Sequence, residues 1–257
     1  MKQSGLFGLA HLCQCVFDMH GLVIDETDDA DEFEQRMTAI GKVRRQRPFD
    51  TTKHIIPRHR SMAILLKDGH RDITGVIARS LDIGDQPLSA LLHEEARVLY
   101  GHDRVRSAVC PAAHQIRGRV AYFGEMFAPP ADRGKPGVAA ALVRYIQCLA
   151  FSKWSLDWSY AFIKKSEVEG RGRVAQYGFC IVEPNAQNWD GVEDQRRDSA
   201  EYMVANSRDQ FDHLVKAAMQ NPIDFLPGYE RVYSNAKQIA TGVLSEPPSE
   251  AFKRSDQ

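Results

Sequence analysis

The sequence predicts a single mixed α/β domain, and three observations carry that expectation. Amphipathic helical stripes alternate with short runs rich in Ile, Leu and Val along most of the chain. A basic, glycine-bearing turn, Arg133-Gly134-Lys135-Pro136-Gly137-Val138-Ala139, lies between an apolar strand-like run and an alanine-rich helical run. The 257 residues, 43% of them hydrophobic and 26% charged, are enough to bury one sizeable core.

Each element has its own signal. Residues 30–43 read as a helix, with Phe33, Met37 and Ile40 at i, i+4 and i+7, acid near its start, and Gly41 with a basic run suited to its end. Residues 61–66 and 73–81 read as strands around Asp68-Gly69, with a connection through His70, Arg71 and Asp72 that can exceed two residues. Leu88, Leu91, Leu92, Ala96 and Leu99 mark another amphipathic helix, with Asp85 and Pro87 at its start. Residues 120–127 are apolar on both alternating faces, as a covered central strand would be. Val138, Leu142, Tyr145, Ile146 and Leu149 stripe the next helix, for which Pro136 is a favourable early residue. Residues 158–163 form a strand candidate, then a short polar helix or loop runs to Val174. Tyr177-Gly178-Phe179 leads into an apolar strand at 180–182. A polar loop covers 183–199, a last strand 201–205, and Ser207 with Gln210 forms a capping box before Phe211, Leu214, Val215 and Ala218. One domain thus spans 1–240, with an N-terminal extension and an insertion near 86–114; the proline-bearing tail 241–257 is expected to be weakly ordered.

Composition narrows the function classes. A net charge of −1 gives no global reason to bind nucleic acid or anionic lipid. The cluster Lys42-Val-Arg-Arg-Gln-Arg47 reads as a solvated helix end. Five scattered cysteines do not form a secreted disulfide framework. The apolar run 5–16 carries His11 and Gln14 and meets Asp18 soon after, unlike a leader's clean apolar core. No run approaches the roughly 20 apolar residues needed to span a bilayer. The expected protein is reduced and cytoplasmic. His93-Glu94-Glu95 lacks the second histidine of a zinc helix, and His11, Cys13, Cys15 and His20 are not spaced as a zinc module, so no metal is expected. Trp154, Trp158 and Tyr160 read as core or interface residues rather than a base-stacking platform.

The turn at 133–139 is the strongest functional signal. Backbone N–H groups at a helix start, with basic side chains beside them, attract phosphate oxygens, and so a nucleotide-bearing cofactor. Helix, hairpin, central strand, phosphate turn, helix, strand, short helix, Tyr-Gly-Phe and strand, in that order, resemble the GCN5-related N-acetyltransferase (GNAT) superfamily. That family's phosphate loop reads Gln or Arg, two residues, Gly, one residue, then Gly or Ala. Here Arg133-Gly134-Lys135 opens it and Gly137-Val138-Ala139 closes it, with Pro136 as one extra residue between. The resemblance implies a GNAT-like, mostly antiparallel central sheet flanked by helices. It also implies acetyl-CoA or another acyl-CoA as cofactor. The pyrophosphate would lie on the amides from Arg133 through Gly134, Lys135 and Gly137 to Val138 and Ala139. The central strand would splay from its neighbour, so that Met126, Phe127 and Ala128 offer main-chain partners to the pantetheine arm.

Acyl transfer to an amine requires a neutral amine, a polarised thioester carbonyl and a proton for the leaving thiolate. Glu125 is the candidate base. Strand alternation puts it on one face with Ala121, Phe123 and Phe127, where apolar neighbours favour the protonated carboxyl; its plainer reading is a carboxylate paired to a nearby Arg or Lys. Tyr177 is the candidate thiolate partner. The family often places that tyrosine where Val174 stands here, and an Asn where Glu167 stands, so packing under the last strands is the alternative for Tyr177.

The sequence therefore points to an acyl-CoA-dependent N-acyltransferase acting on a primary amine of a small molecule or protein. An acyl-homoserine-lactone or N-acyl amino acid synthase is an alternative, in which Arg44, Arg45 and Arg47 would dock an acidic acyl-carrier protein. A noncatalytic GNAT-like acyl-CoA-binding or scaffold protein is a third reading. A homodimer is one possible assembly, and no nucleic acid or membrane partner is expected.

Overall fold

A seven-stranded sheet, with helices on both faces, organises the chain in a computed structural model that describes residues 3–43, 47–52, 55–100, 105–107, 110–186, 188–189 and 201–225. The elements are α1 (Gln3–Met19), β1 (Leu22–Thr27), α2 (Ala30–Ala39), β2 (Ser61–Asp68), β3 (Arg71–Asp82), α3 (Leu88–Tyr100), β4 (Val105–Ser107), α4 (Pro111–Gln115) and β5 (Arg119–Phe127). They continue with α5 (Val138–Trp154), β6 (Trp158–Lys164), α6 (Lys165–Glu169), α7 (Arg173–Tyr177), β7 (Ile181–Glu183), β8 (Asn188–Trp189), β9 (Glu201–Ser207), α8 (Arg208–Gln220) and α9 (Pro222–Phe225). Strand order is β1-β2-β3-β5-β6-β9-β7, and β4 pairs with β8 in a separate ribbon. Only β5 and β6 pair in parallel among the described strands. Their connection is the basic turn and α5, because a parallel pair needs a crossover that a tight turn cannot supply.

Two apolar layers sandwich this sheet. Leu6, Leu9, Val16 and Phe17 of α1, Leu142 and Ile146 of α5, and Phe211 and Leu214 of α8 meet one face, together with Ala121 and Phe123 of β5. Phe33 and Met37 of α2, Leu88 and Leu92 of α3, and Ala112 and Ala113 of α4 cover the other, together with Val120 and Tyr122. Gly75 of β3 is required where α2 crosses. A Cβ there would stand 2.9 Å from Phe33 Cε2 and 3.2 Å from the Ile64 carbonyl oxygen.

Several expectations are corrected. The run 5–16 is most of α1, whose His11 and Gln14 face out while Leu6, Leu9, Cys13 and Val16 pack inward. Strand β1, for which no element was expected, pairs along β2 as the sheet edge. The β2–β3 hairpin turns in two residues, Gly69 and His70, because Asp68 pairs with Arg71. α2 ends at Ala39, and the chain turns at Gly41 with φ +93° rather than continuing to Val43. Residues 241–257 and most of the loop 183–199 lie outside the described residues.

Candidate functional site

Strand β5 begins as a regular central strand and ends as an irregular one. It pairs with β6 from Val120–Trp158 to Phe123–Ala161, and among the described residues no pair follows. On its other side Ile77 faces Gly124 and Gly75 faces Phe127, so Val76 alone opposes both Glu125 and Met126. This is a β-bulge, which adds one residue to a strand and sharpens its bend. Glu125 is its left-handed residue, at φ +62°, a conformation uncommon for any side chain but glycine. The bend at the bulge and the end of pairing with β6 open a fork between the two strands.

The bulge also overturns the expected face of Glu125. Phe123 packs with the α1/α5/α8 layer and so does Met126, three positions on, while Phe127 joins the α2/α3 layer. Regular alternation would have kept Phe123, Glu125 and Phe127 together. Instead the Glu125 carboxylate, with no side-chain exposure, ion-pairs with Lys42 Nζ. Lys42 Nζ also lies 3.8 Å from Glu34 Oε2.

Lys42 is accordingly not a solvated helix-end residue, because the end of α2 turns it inward. The Gly41 amide donates to Thr38 O at 2.9 Å and the Lys42 amide to Met37 O at 3.0 Å. These are the two bonds of a Schellman motif, whose residue after the left-handed glycine packs back toward its own helix. Apolar residues usually fill that place; a lysine there finds a carboxylate. The stop signal at Gly41 was the one sequence feature that could have pointed to Lys42.

After Phe127 the chain enters the basic turn through a 3-10 turn at Pro130–Asp132. Arg71 grips Asp132 with two bonds of 2.7 Å, which hold that carboxyl below its usual range. Arg133 Nε donates to Ala128 O at 3.0 Å, and Thr74 Oγ1 donates to Phe127 O at 2.8 Å. Each of these two carbonyls thus already accepts one bond. Lys135 Nζ stands 3.8 Å from Asp68. His20 Nε2 donates to the Pro136 carbonyl at 3.1 Å, which ties the inserted residue to the end of α1. Gly134 and Gly137 have φ of +91° and +79°, and Gly137 caps α5 without a side-chain bond. The amides of Gly134, Lys135, Gly137, Ala139 and Ala140 meet no backbone acceptor among the described residues. Pro136 has no amide to offer. These donors suit an anion with several oxygens.

Tyr177 ends α7, whose carbonyls are tied to α5 and β9. Gln147 Nε2 donates to Tyr177 O at 3.0 Å, Arg144 Nη2 to Ala175 O at 3.1 Å, and Asn206 Nδ2 to Gly178 O at 2.7 Å. The Tyr177 ring packs against the α1/α5/α8 layer with Arg173 5.9 Å from its centroid. Burial pushes its hydroxyl above the ordinary value, opposed by the nearby Arg173. Val174, where the family tyrosine would stand, is a buried core residue. Sequence reasoning missed Lys42, Thr74, Arg71 and His20, all of which reach the site from distant segments.

Among the described strands the mostly antiparallel sheet carries one parallel pair at its centre, and that pair forks beside a bulge and a glycine turn. The fold is GNAT-like. No protein-family model and no curated protein matches the chain. Among solved structures, Arabidopsis thaliana NAA60 in complex with acetyl-CoA aligns with 73% of this chain and 99% of its own, at TM-score 0.43 and 12% identity. Drosophila melanogaster polyamine N-acetyltransferase covers 72% and 99%, at 0.43 and 12%. FeeM, an N-acyl amino acid synthase from uncultured soil microbes, covers 72% and 90%, at 0.41 and 11%. These are likenesses of fold alone. No helix among the described residues is long and apolar enough to cross a membrane.

Proposed function

We propose that the chain is an acyl-CoA-dependent N-acyltransferase acting on a primary amine. The observation that carries this reading is the fork beyond Phe123–Ala161, set beside a glycine turn rich in uncommitted amides. Beyond Phe123 the strand has no β6 partner among the described residues, so an extended pantetheine arm can bond to the backbone of Met126, Phe127 and Ala128. The amides of Gly134, Lys135, Gly137 and Ala139, with the charge of Arg133 and Lys135, take the pyrophosphate at the start of α5. Val138 closes the turn as the first residue of that helix. When bound, the acyl-CoA supplies an activated thioester carbonyl. Glu125 accepts the acceptor's ammonium proton, and Tyr177, whose buried hydroxyl keeps its proton, donates to the leaving sulfur.

Acetyl-CoA and longer acyl-CoAs should each be titrated while thermal unfolding is followed, with thiol release then measured against a panel of amines. The expected result is a rise in Tm with a thioester and thiol release with at least one amine. No rise with any thioester would overturn the reading. Arg133→Ala should weaken binding by roughly 10-fold, the worth of one charge-assisted contact.

The Lys42–Glu125 pair favours a second reading, a noncatalytic acyl-CoA-binding protein, because the carboxylate assigned as base already holds a cation. Binding of acyl-CoA without thiol release to any amine would support it.

A further inference from the structure

A primary amine already stands against the carboxylate proposed as base. Glu125 lies two positions beyond the last β5–β6 pair, at the mouth of the fork, and Lys42 Nζ is bound to its carboxylate. The Schellman turn at Gly41 fixes the Lys42 backbone, so the amine is delivered by a rigid helix end rather than by a free loop. A charge pair meant only for stability would be served as well by arginine, whose guanidinium is a poor nucleophile and stays protonated. Lysine differs from it in being able to lose a proton and attack a carbonyl. We infer that Lys42 is a self-acylation site, which receives the acyl group of a bound acyl-CoA; the inference rests on the acyl-CoA reading above.

The step balances without a further reactant. Glu125 takes one proton from the Lys42 ammonium. The neutral Nζ attacks the thioester carbonyl carbon, the C–N bond forms, and the C–S bond breaks. The second proton leaves nitrogen for the thiolate, giving an Nε-acyl-lysine amide and free coenzyme A. Lys42 is only 8% exposed, so acyl donors in bulk solvent reach it poorly. Exposed lysines such as Lys153 and Lys164 are the controls for indiscriminate labelling.

The test is incubation of the full-length protein with acetyl-CoA, followed by intact mass and peptide mapping. The expected result is one acetyl group on Lys42, acquired at a rate per molecule that does not change on dilution. Glu125→Gln should slow that labelling by roughly 100-fold or more. Lys42→Arg, which keeps the ion pair, should remove the label while acetyl-CoA still raises Tm. A protein that binds acetyl-CoA yet labels only exposed lysines overturns the self-acylation alone. A protein that binds no acyl-CoA overturns the parent reading together with it.

Discussion

Glu125 combines a left-handed backbone with a buried carboxylate, and Lys42 makes that combination tolerable. Removing one partner of a buried ion pair leaves the other charge uncompensated, at a cost of about 3–5 kcal/mol. Lys42→Met should therefore lose that much stability in urea denaturation, and Lys42→Met with Glu125→Gln should recover a large part of it. A single variant indistinguishable from the wild type would mean that the pair is not held in the interior. The cysteines offer a second test at this scale. Burial pushes the Cys13 thiol up to about 12 and raises Cys148 well above the ordinary thiol value. A fold that keeps a thiol protonated binds more protons than the unfolded chain, so its contribution is complete below the free value of 9.0 and is lost as pH rises toward about 12. Cys13→Ala should flatten that part of the alkaline decline in denaturation stability. Native protein treated with a thiol reagent should react at exposed Cys180 well before Cys13, Cys110 or Cys148. The reach of Lys42 was illegible in the sequence because its partner lies 83 residues away, and periodicity reports only neighbours within an element.

At the scale of elements, local chemistry was the most legible part. Ser207 accepts from the Gln210 amide at 3.2 Å while Gln210 Oε1 accepts from the Ser207 amide at 2.9 Å, the reciprocal cap that the spacing of these two residues announces. Ser207→Ala should cost about 1 kcal/mol, visible as a lower Tm. Gly41→Ala should cost about 1 kcal/mol or more, since alanine resists φ +93°, and it should also unseat Lys42. α1 went unread, because its apolar run invites comparison with a leader, although Leu6, Leu9, Cys13 and Val16 carry the inward spacing of a helix. Strand β1 was harder to see. It is an edge strand whose Val23 is exposed and whose Asp25 pairs with Lys67 and Arg36, so apolar alternation is broken by ion pairs. Tyr177-Gly178-Phe179 stood out by family resemblance alone, and the network around it was hidden: Asn206 bonds to Gly178 O, the Cys180 amide and Gln147. Asn206→Ala would orphan those groups and should destabilise the protein by about 2 kcal/mol or more in denaturant titration.

Across the whole molecule, order along the chain was readable and convergence in space was not. The hairpin, central strand and crossover helix follow from short-range signals, whereas the edge strand β1 and the placing of β9 between β6 and β7 do not. The site instead draws His20 from the end of α1, Lys42 from the end of α2, Arg71 and Thr74 from β3, and the turn between β5 and α5. α1 belongs to this assembly as well as to the core. Deleting residues 1–20 would strip the apolar surface of α5 and release Pro136, so the truncated chain should aggregate on refolding rather than give a soluble monomer by gel filtration. The bulge at Glu125 works as a phase shift in the central strand. Upstream of it odd-numbered residues serve one helical layer; downstream the assignment is reversed. Removing Glu125 alone would restore regular alternation opposite Val76 and leave Met126 and Phe127 in their present layers, so the strand should keep both cores without its extra residue and lose only the bend and the buried carboxylate.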